Sequence, residues 1–138
     1  MSIDMPIEEK NEQLVRTFFD TLSTGDLEKV RVLLHRDACW TAMPKDVPGA
    51  GPHPGRDHII DEFLAPVRDM FVPGDPKIDI KVLFAKGNQV HAETRAFGTF
   101  RNGRAYDNNY CWGVDIKDGL IYALREYMDS HYIMNVVN

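Results

Sequence analysis

Apolar side chains recur at Ile7, Leu14, Val15, Phe18, Phe19 and Leu22, while Glu8, Glu9, Glu12, Gln13, Arg16 and Asp20 fall mostly off that line. This spacing predicts an amphipathic helix over residues 7–22, with Pro6 suited to its first turn. It stops at Ser23-Thr24-Gly25, where glycine can take a left-handed cap, and Asp26 caps a second helix running to about Leu34. A short strand is predicted over 38–43, and the segment 44–55, with four prolines and three glycines, reads as a long loop without regular structure. A third helix begins after Gly55 with Ile59, Ile60, Phe63 and Leu64 as its apolar face, interrupted or bent at Pro66.

From residue 78 onward the period changes to two. Ile78, Ile80, Val82 and Phe84 alternate on one side of a first strand, and residues 89–100 form a second. Asn102-Gly103 and Lys117-Asp118-Gly119 mark tight turns on either side of a third, on which Tyr106, Asn108, Tyr110, Trp112, Val114 and Ile116 share a face. A last strand is expected from Leu120 to about Tyr132. Helices first and a strand meander after, with no β-α-β alternation, predict an α+β fold: three N-terminal helices packed on the concave face of one strongly curved antiparallel sheet. Such a layer pair can leave a cavity between sheet and helices.

Polar residues then stand out on faces expected to point inward. Glu126 sits between Leu124 and Met128, and Asn108 between Tyr106 and Tyr110. His91, Glu93 and Arg95 share the parity of Phe97, although the opposite face of that strand (Val90, Ala92, Thr94, Ala96) is small, apolar and equally able to be the inner one. A carboxylate among apolar neighbours has its pKa raised, which suits a general acid or base near neutral pH. A buried ion pair between Glu126 and Arg95 or Arg125, with no chemistry, is the competing account.

The bulk numbers bound the rest. A chain of 138 residues is expected to be one domain, residues 1–138. A net charge of −5 argues against general nucleic-acid binding, and no apolar run is long enough for a membrane span. Two cysteines, Cys39 and Cys111, make no disulfide framework, and no metal-ligand signature occurs. The acidic, broken start from Met1 does not read as a signal peptide, so the cytoplasm is the expected setting.

The segments Glu12–Asp26, Pro54–Ile59, Gly103–Tyr110, Asp118–Ile121 and Leu124–Asp129 together resemble the SnoaL-like branch of the NTF2-like superfamily, over roughly residues 8–134. That group includes ketosteroid isomerase-like, polyketide cyclase-like and limonene-epoxide-hydrolase-like proteins. The resemblance implies a cone-shaped α+β barrel with a deep apolar pocket that takes a small apolar molecule, a homodimer, and no metal or organic cofactor. The charged positions of the epoxide hydrolases fall on Glu93, Arg95 and Glu126, with the middle-strand charges exchanged. Their water-holding Tyr and Asn fall on Trp40 and Ala42, which argues against epoxide hydrolysis by the same arrangement. The acid that polyketide cyclases carry on the last strand falls on Glu126.

The expected function is therefore an isomerase, cyclase or dehydratase acting on a small apolar carbonyl compound. Glu126, Arg95 and Glu93 form its catalytic trio, and Trp40, His91, Phe97, Asn108, Tyr110, Leu124 and Met128 contact the substrate. The alternative is a non-catalytic ligand-binding or dimerisation module of the same fold.

Overall fold

The computed structural model describes residues 5–137. The acidic segment at positions 1–4, on which the leader expectation partly rests, lies outside them. Helix α1 (Ile7–Thr24) buries Val15, Phe18, Phe19 and Leu22, the stripe its sequence announces. It ends where Gly25 takes φ 80° and returns its N–H to the carbonyl of Leu22. Asp26 accepts from the Lys29 N–H and opens α2, Leu27–Arg31, which is shorter than expected because Leu34 already begins β1, Leu34–Ala42.

The loop expected over 44–55 contains a strand, β2 (Gly51–Pro54), paired antiparallel with β1 at Cys39–Ala42. Pro52 and Pro54 have no N–H to offer, and they are tolerated because β2 is an edge strand. The third helix is composite. It consists of α3 (Arg56–His58), a π-helical turn at Ile59–Leu64 and α4 (Ala65–Asp69). Pro66 cannot donate a hydrogen bond. The wider turn just before it, where the Ala65 N–H reaches the carbonyl of Ile60, lets the helix continue without a sharp break.

Strands β3 (Lys77–Lys86), β4 (Gln89–Thr99), β5 (Ala105–Lys117) and β6 (Leu120–Met128) form the expected meander. Two corrections concern the sheet. Its order is β2-β1-β6-β5-β4-β3, and β1 pairs with β6 in parallel, so the six-stranded sheet is mixed rather than wholly antiparallel, and it has two free edges. In β3 the register slips between Ile80 and Val82. Ile78, Ile80, Leu83 and Ala85 therefore pack against the core, whereas Val82 and Phe84 are exposed. The last strand ends at Met128. Asp129 then accepts from the Tyr132 N–H and starts α5, Ser130–Val137, in place of the expected strand to Tyr132.

Two apolar clusters result. The larger joins α1, the π-helical turn and the concave face of the sheet through Trp40, Trp112, Val114 and Leu124. The smaller, Phe71, Ala96, Phe100 and Tyr106, lies under α5. Ile78 and Tyr110 pack against both. Among the described residues no helix is long and apolar enough to cross a membrane.

Gly98 on β4 lies tight against the turn before β3. A Cβ there would stand 2.8 Å from Asp75 Cβ and 2.9 Å from its Cγ, while Asp75 Oδ2 is held at 2.9 Å by the Thr99 N–H. Gly98→Ala is expected to destabilise the protein by about 1–3 kcal/mol, read as a lower urea midpoint. An unchanged midpoint would mean that the Asp75 turn yields freely.

Candidate functional site

Alternation along β6 turns Leu124 and Glu126 toward the helices. Leu124 is fully buried, whereas Glu126 reaches the seam between the two apolar clusters. There it borders a cavity of about 80 Å³. Its sheet wall is Trp40, Trp112, Tyr110, Thr94, Ala96 and Ile78, and its helix wall is Leu22, Leu64, Val67 and Arg68, with Pro76 at the rim. No residue of the 44–55 segment lines it.

The Glu126 carboxyl accepts one hydrogen bond, from Trp40 Nε1 at 3.2 Å. Burial pushes its pKa from an ordinary 4.5 up to about 7, and the Trp40 bond opposes that rise without cancelling it. Among the described residues no cation lies within ion-pair distance of it. The Trp40 indole is fixed by ring contacts to Phe18, Phe63 and Trp112, at centroid distances of 5.9, 5.5 and 5.4 Å. Trp112, opposite Glu126 in the register, donates its own Nε1 to Thr94 Oγ1 at 3.0 Å.

Beside this carboxyl runs a hydroxyl chain. The Tyr106 and Tyr110 hydroxyls share a short hydrogen bond. Asn108 Nδ2 donates to the Tyr106 oxygen at 3.1 Å and to the Asp129 carbonyl at 3.2 Å, and its Oδ1 accepts from the Asn109 N–H at 2.9 Å. Burial raises the pKa of Tyr106 and, more strongly, that of Tyr110. The Glu126 charge acts in the same direction, so both phenols keep their protons at neutral pH.

On β4 the open question of parity resolves toward Val90, Ala92, Thr94 and Ala96 as the inner face. The expected trio is consequently not assembled. Arg95 lies on the convex face, bonded through Nε and Nη2 to Asp107 at 2.7 and 2.9 Å, with Asp79 at 3.7 Å. Glu93 is exposed on the same face and meets His91 Nε2 at 3.1 Å, while Phe97 lies under the Arg95 guanidinium. The physical reason is twofold. These charges keep their hydration outside, and only small side chains on the inner face leave room for the indole of Trp112 and the rings of α1. The Arg95 bonds hold Asp107 below the usual carboxylate range.

Of the other expected contacts, Trp40 and Tyr110 line the cavity. Asn108 stands behind Tyr106, Leu124 is core, and Met128 borders a separate surface hollow with Glu93 and Cys111. Arg125, the alternative ion-pair partner, is bound to Asp115 at 2.9 Å and 3.0 Å. Both cysteines are free. Arg68 was missed. It follows Leu64 by one helical turn, a spacing that would have placed it on the inner face had the helix been continued through Pro66.

The SnoaL-like domain family model matches residues 15–124, ending two positions before Glu126. No curated protein sequence matches the chain significantly. Many solved structures share its fold, among them the following three. Bal32a, from a soil-derived mobile gene cassette, is 21% identical with a TM-score of 0.85, covering 96% of this chain and 100% of its own. A candidate SnoaL-like polyketide cyclase from Jannaschia sp. CCS1 is 18% identical with a TM-score of 0.81, covering 99% and 97%. A candidate ketosteroid isomerase from Kribbella flavida DSM 17836 is 21% identical with a TM-score of 0.71, covering 91% and 82%. With the family match spanning most of its length and these neighbours repeating its architecture, the chain belongs to the SnoaL-like domain family, on the NTF2-like fold.

Proposed function

We propose that this protein is a cofactor-independent enzyme that moves a proton on a small, largely apolar carbonyl compound, as an isomerase, cyclase or dehydratase does, with Glu126 as general base and acid. The observation that carries the reading is a carboxyl in an apolar cavity with its pKa raised to about 7, held by one indole N–H and no cation. A group poised there can take a proton from carbon and return it. The fold-level likeness to a polyketide cyclase and a ketosteroid isomerase, named so for those proteins, supports the same class by analogy.

Tyr110 is the proposed partner. The Tyr106 oxygen already accepts from Asn108 Nδ2, so its hydroxyl hydrogen has one acceptor at hand, the Tyr110 oxygen. That order leaves the Tyr110 O–H free to donate into the cavity, where it would stabilise an oxygen becoming an enolate. In the reverse order the Tyr106 hydrogen would face an amide NH2. Asn108 and Tyr106 thus position Tyr110 without touching substrate. The alternative, a non-catalytic binding module, is favoured by one feature: the cavity of about 80 Å³ is small beside the several hundred usual for ligand pockets.

Solvent-deuterium exchange at the α-carbon of small cyclic ketones, followed by NMR, tests the choice. Glu126→Gln is expected to slow exchange by on the order of a hundredfold or more, and the wild-type rate to rise as pH passes about 7. Arg95→Met, on the convex face, should leave the rate unchanged. Exchange no faster than in buffer, or undiminished in Glu126→Gln, favours the binding module.

Stability against pH gives an independent reading of the same carboxyl. Below 4.5 it is protonated in both folded and unfolded chains, so nothing is lost. Between 4.5 and about 7 the unfolded chain releases the proton that the folded chain keeps, so stability falls as pH rises and levels off once the folded group also ionises. The fall attributable to this group is about 3 kcal/mol, and Glu126→Gln is expected to remove it and to be the more stable protein at pH above about 7. Parallel urea-unfolding curves for the two proteins across that window would mean the carboxyl is hydrated in solution.

A further inference from the structure

We propose that the cavity is built for an anion. Its occupant would be a small, mostly apolar molecule bearing an ionised oxygen, a carboxylate or an acidic enolate, received by Arg68. The inference rests on reading the cavity as the functional site and adds the charge of what enters it.

Arg68 is half-buried in the helix wall among Leu22, Leu64, Val67 and Pro76. A guanidinium offers five N–H donors. Arg68 uses Nη1 on the Leu22 carbonyl at 2.8 Å and Nη2 on the Pro76 carbonyl at a long 3.4 Å. Among the described residues no carboxylate comes within ion-pair distance of it. Asp75 attracts it through space, but the Asp75 carboxylate is engaged by the Thr99 N–H at 2.9 Å. Glu126 borders the same cavity and is paired to Trp40, so the two do not neutralise each other.

Bonding to the end of α1 accounts for one donor and for a favourable charge at a helix C-terminus. It does not account for the rest. A surface lysine would serve the helix end without taking a cation into an apolar wall, where an unpaired charge is costly. The arginines that meet a carboxylate do so away from this cavity: Arg31 with Glu28, Asp57 and Asp61, Arg36 with Asp37, Arg56 with Asp57, Arg95 with Asp107 and Asp79, and Arg125 with Asp115. Arg68 alone among these side chains combines a cavity position with unspent donors in a planar fork, the geometry that matches a carboxylate.

Benzoate and benzamide share size and shape and differ in charge, and their binding is read by calorimetry on the purified protein, about one pH unit below the Glu126 midpoint, so that Glu126 is mostly neutral. Benzoate is expected to bind at least about tenfold more tightly than benzamide, the usual margin of a charge-assisted hydrogen bond. It should also shift the Arg68 Nε–H resonance, which benzamide leaves in place. In Arg68→Gln the preference should vanish while benzamide affinity stays the same. Equal affinities in the wild type, binding of neither probe at millimolar concentration, or a preference that survives in Arg68→Gln overturns the proposal. Should that variant fail to fold, the wild-type ratio and the Arg68 resonance decide alone. Neither readout needs turnover, so loss of the proton-transfer role for Glu126 in the exchange assay and loss of the anion preference here are separate results.

Discussion

The carboxyl of Glu126 under the Trp40 indole is the constraint around which this fold is arranged. A carboxylate among hydrocarbon walls must be paired, hydrated or protonated. Pairing is not used, since the two arginines expected to reach it, Arg95 and Arg125, are turned to Asp107 and Asp115. What remains is one hydrogen bond at 3.2 Å and a proton held up to about pH 7. That bond requires the indole to stay in place. Trp40 is wedged edge-on against Phe63 from the π-helical turn and Trp112 from β5, and at a tilt against Phe18 from α1, so the largest cluster in the core is also what positions the acid. Stability and site chemistry are here the same contacts.

The cavity exists because the sheet cannot be filled from one side. The register slip in β3 and another between Asp115 and Ile116 on β5 bend a six-stranded sheet that remains open at β2 and β3. α1 covers one part of its concave face and α5 another, and the two apolar clusters beneath them meet at Ile78 and Tyr110 without fusing. The space lies at that seam. Thr94 and Ala96, small side chains opposite Tyr110 and Asn108, keep it open. Aliphatic residues of leucine size at those positions would close it and turn the seam into ordinary core.

Helix α1, the meander and its turns, and the inward face of β5 were legible from period and turn chemistry, and so was the place of Glu126 between Leu124 and Met128. Three features were not, each for a physical reason. Parity along β4 could not be settled, because both faces alternate cleanly and only the bulk of Trp112 and α1 selects the small one. The shift in β3 is a bulge, which strict period-two counting steps over, so Val82 and Phe84 fall on one side with Ile78 and Ile80 in the sequence pattern but not in the fold. Arg68 lies beyond a proline that local rules treat as a helix breaker, while a π-helical turn carries the helix past it. Position-by-position transfer from related folds named Glu93 and Arg95. It failed because an error of one residue in the register turns every side chain on a strand to the other face.

Placing an arginine and an ionisable carboxyl on one small cavity also links what binds to what the acid can do. When Glu126 is ionised, the cavity carries the Arg68 cation and one anion. When it is protonated, Arg68 is the one charged side chain among the lining residues, which favours an anionic occupant. By linkage, such an occupant must raise the Glu126 pKa further, above the value near 7 of the empty site, since each anion makes the other less welcome. Under the proposed function, an ionised substrate would meet Glu126 as a proton donor, and a neutral ketone would meet it, in a growing fraction as pH passes 7, as a proton acceptor. The same carboxyl would then open a reaction on a neutral carbonyl and close it on the enolate, with Arg68 and the Tyr110 hydroxyl stabilising the charge in between. On this argument the direction of proton transfer is set by the charge of the molecule in the cavity, and no second acid is required.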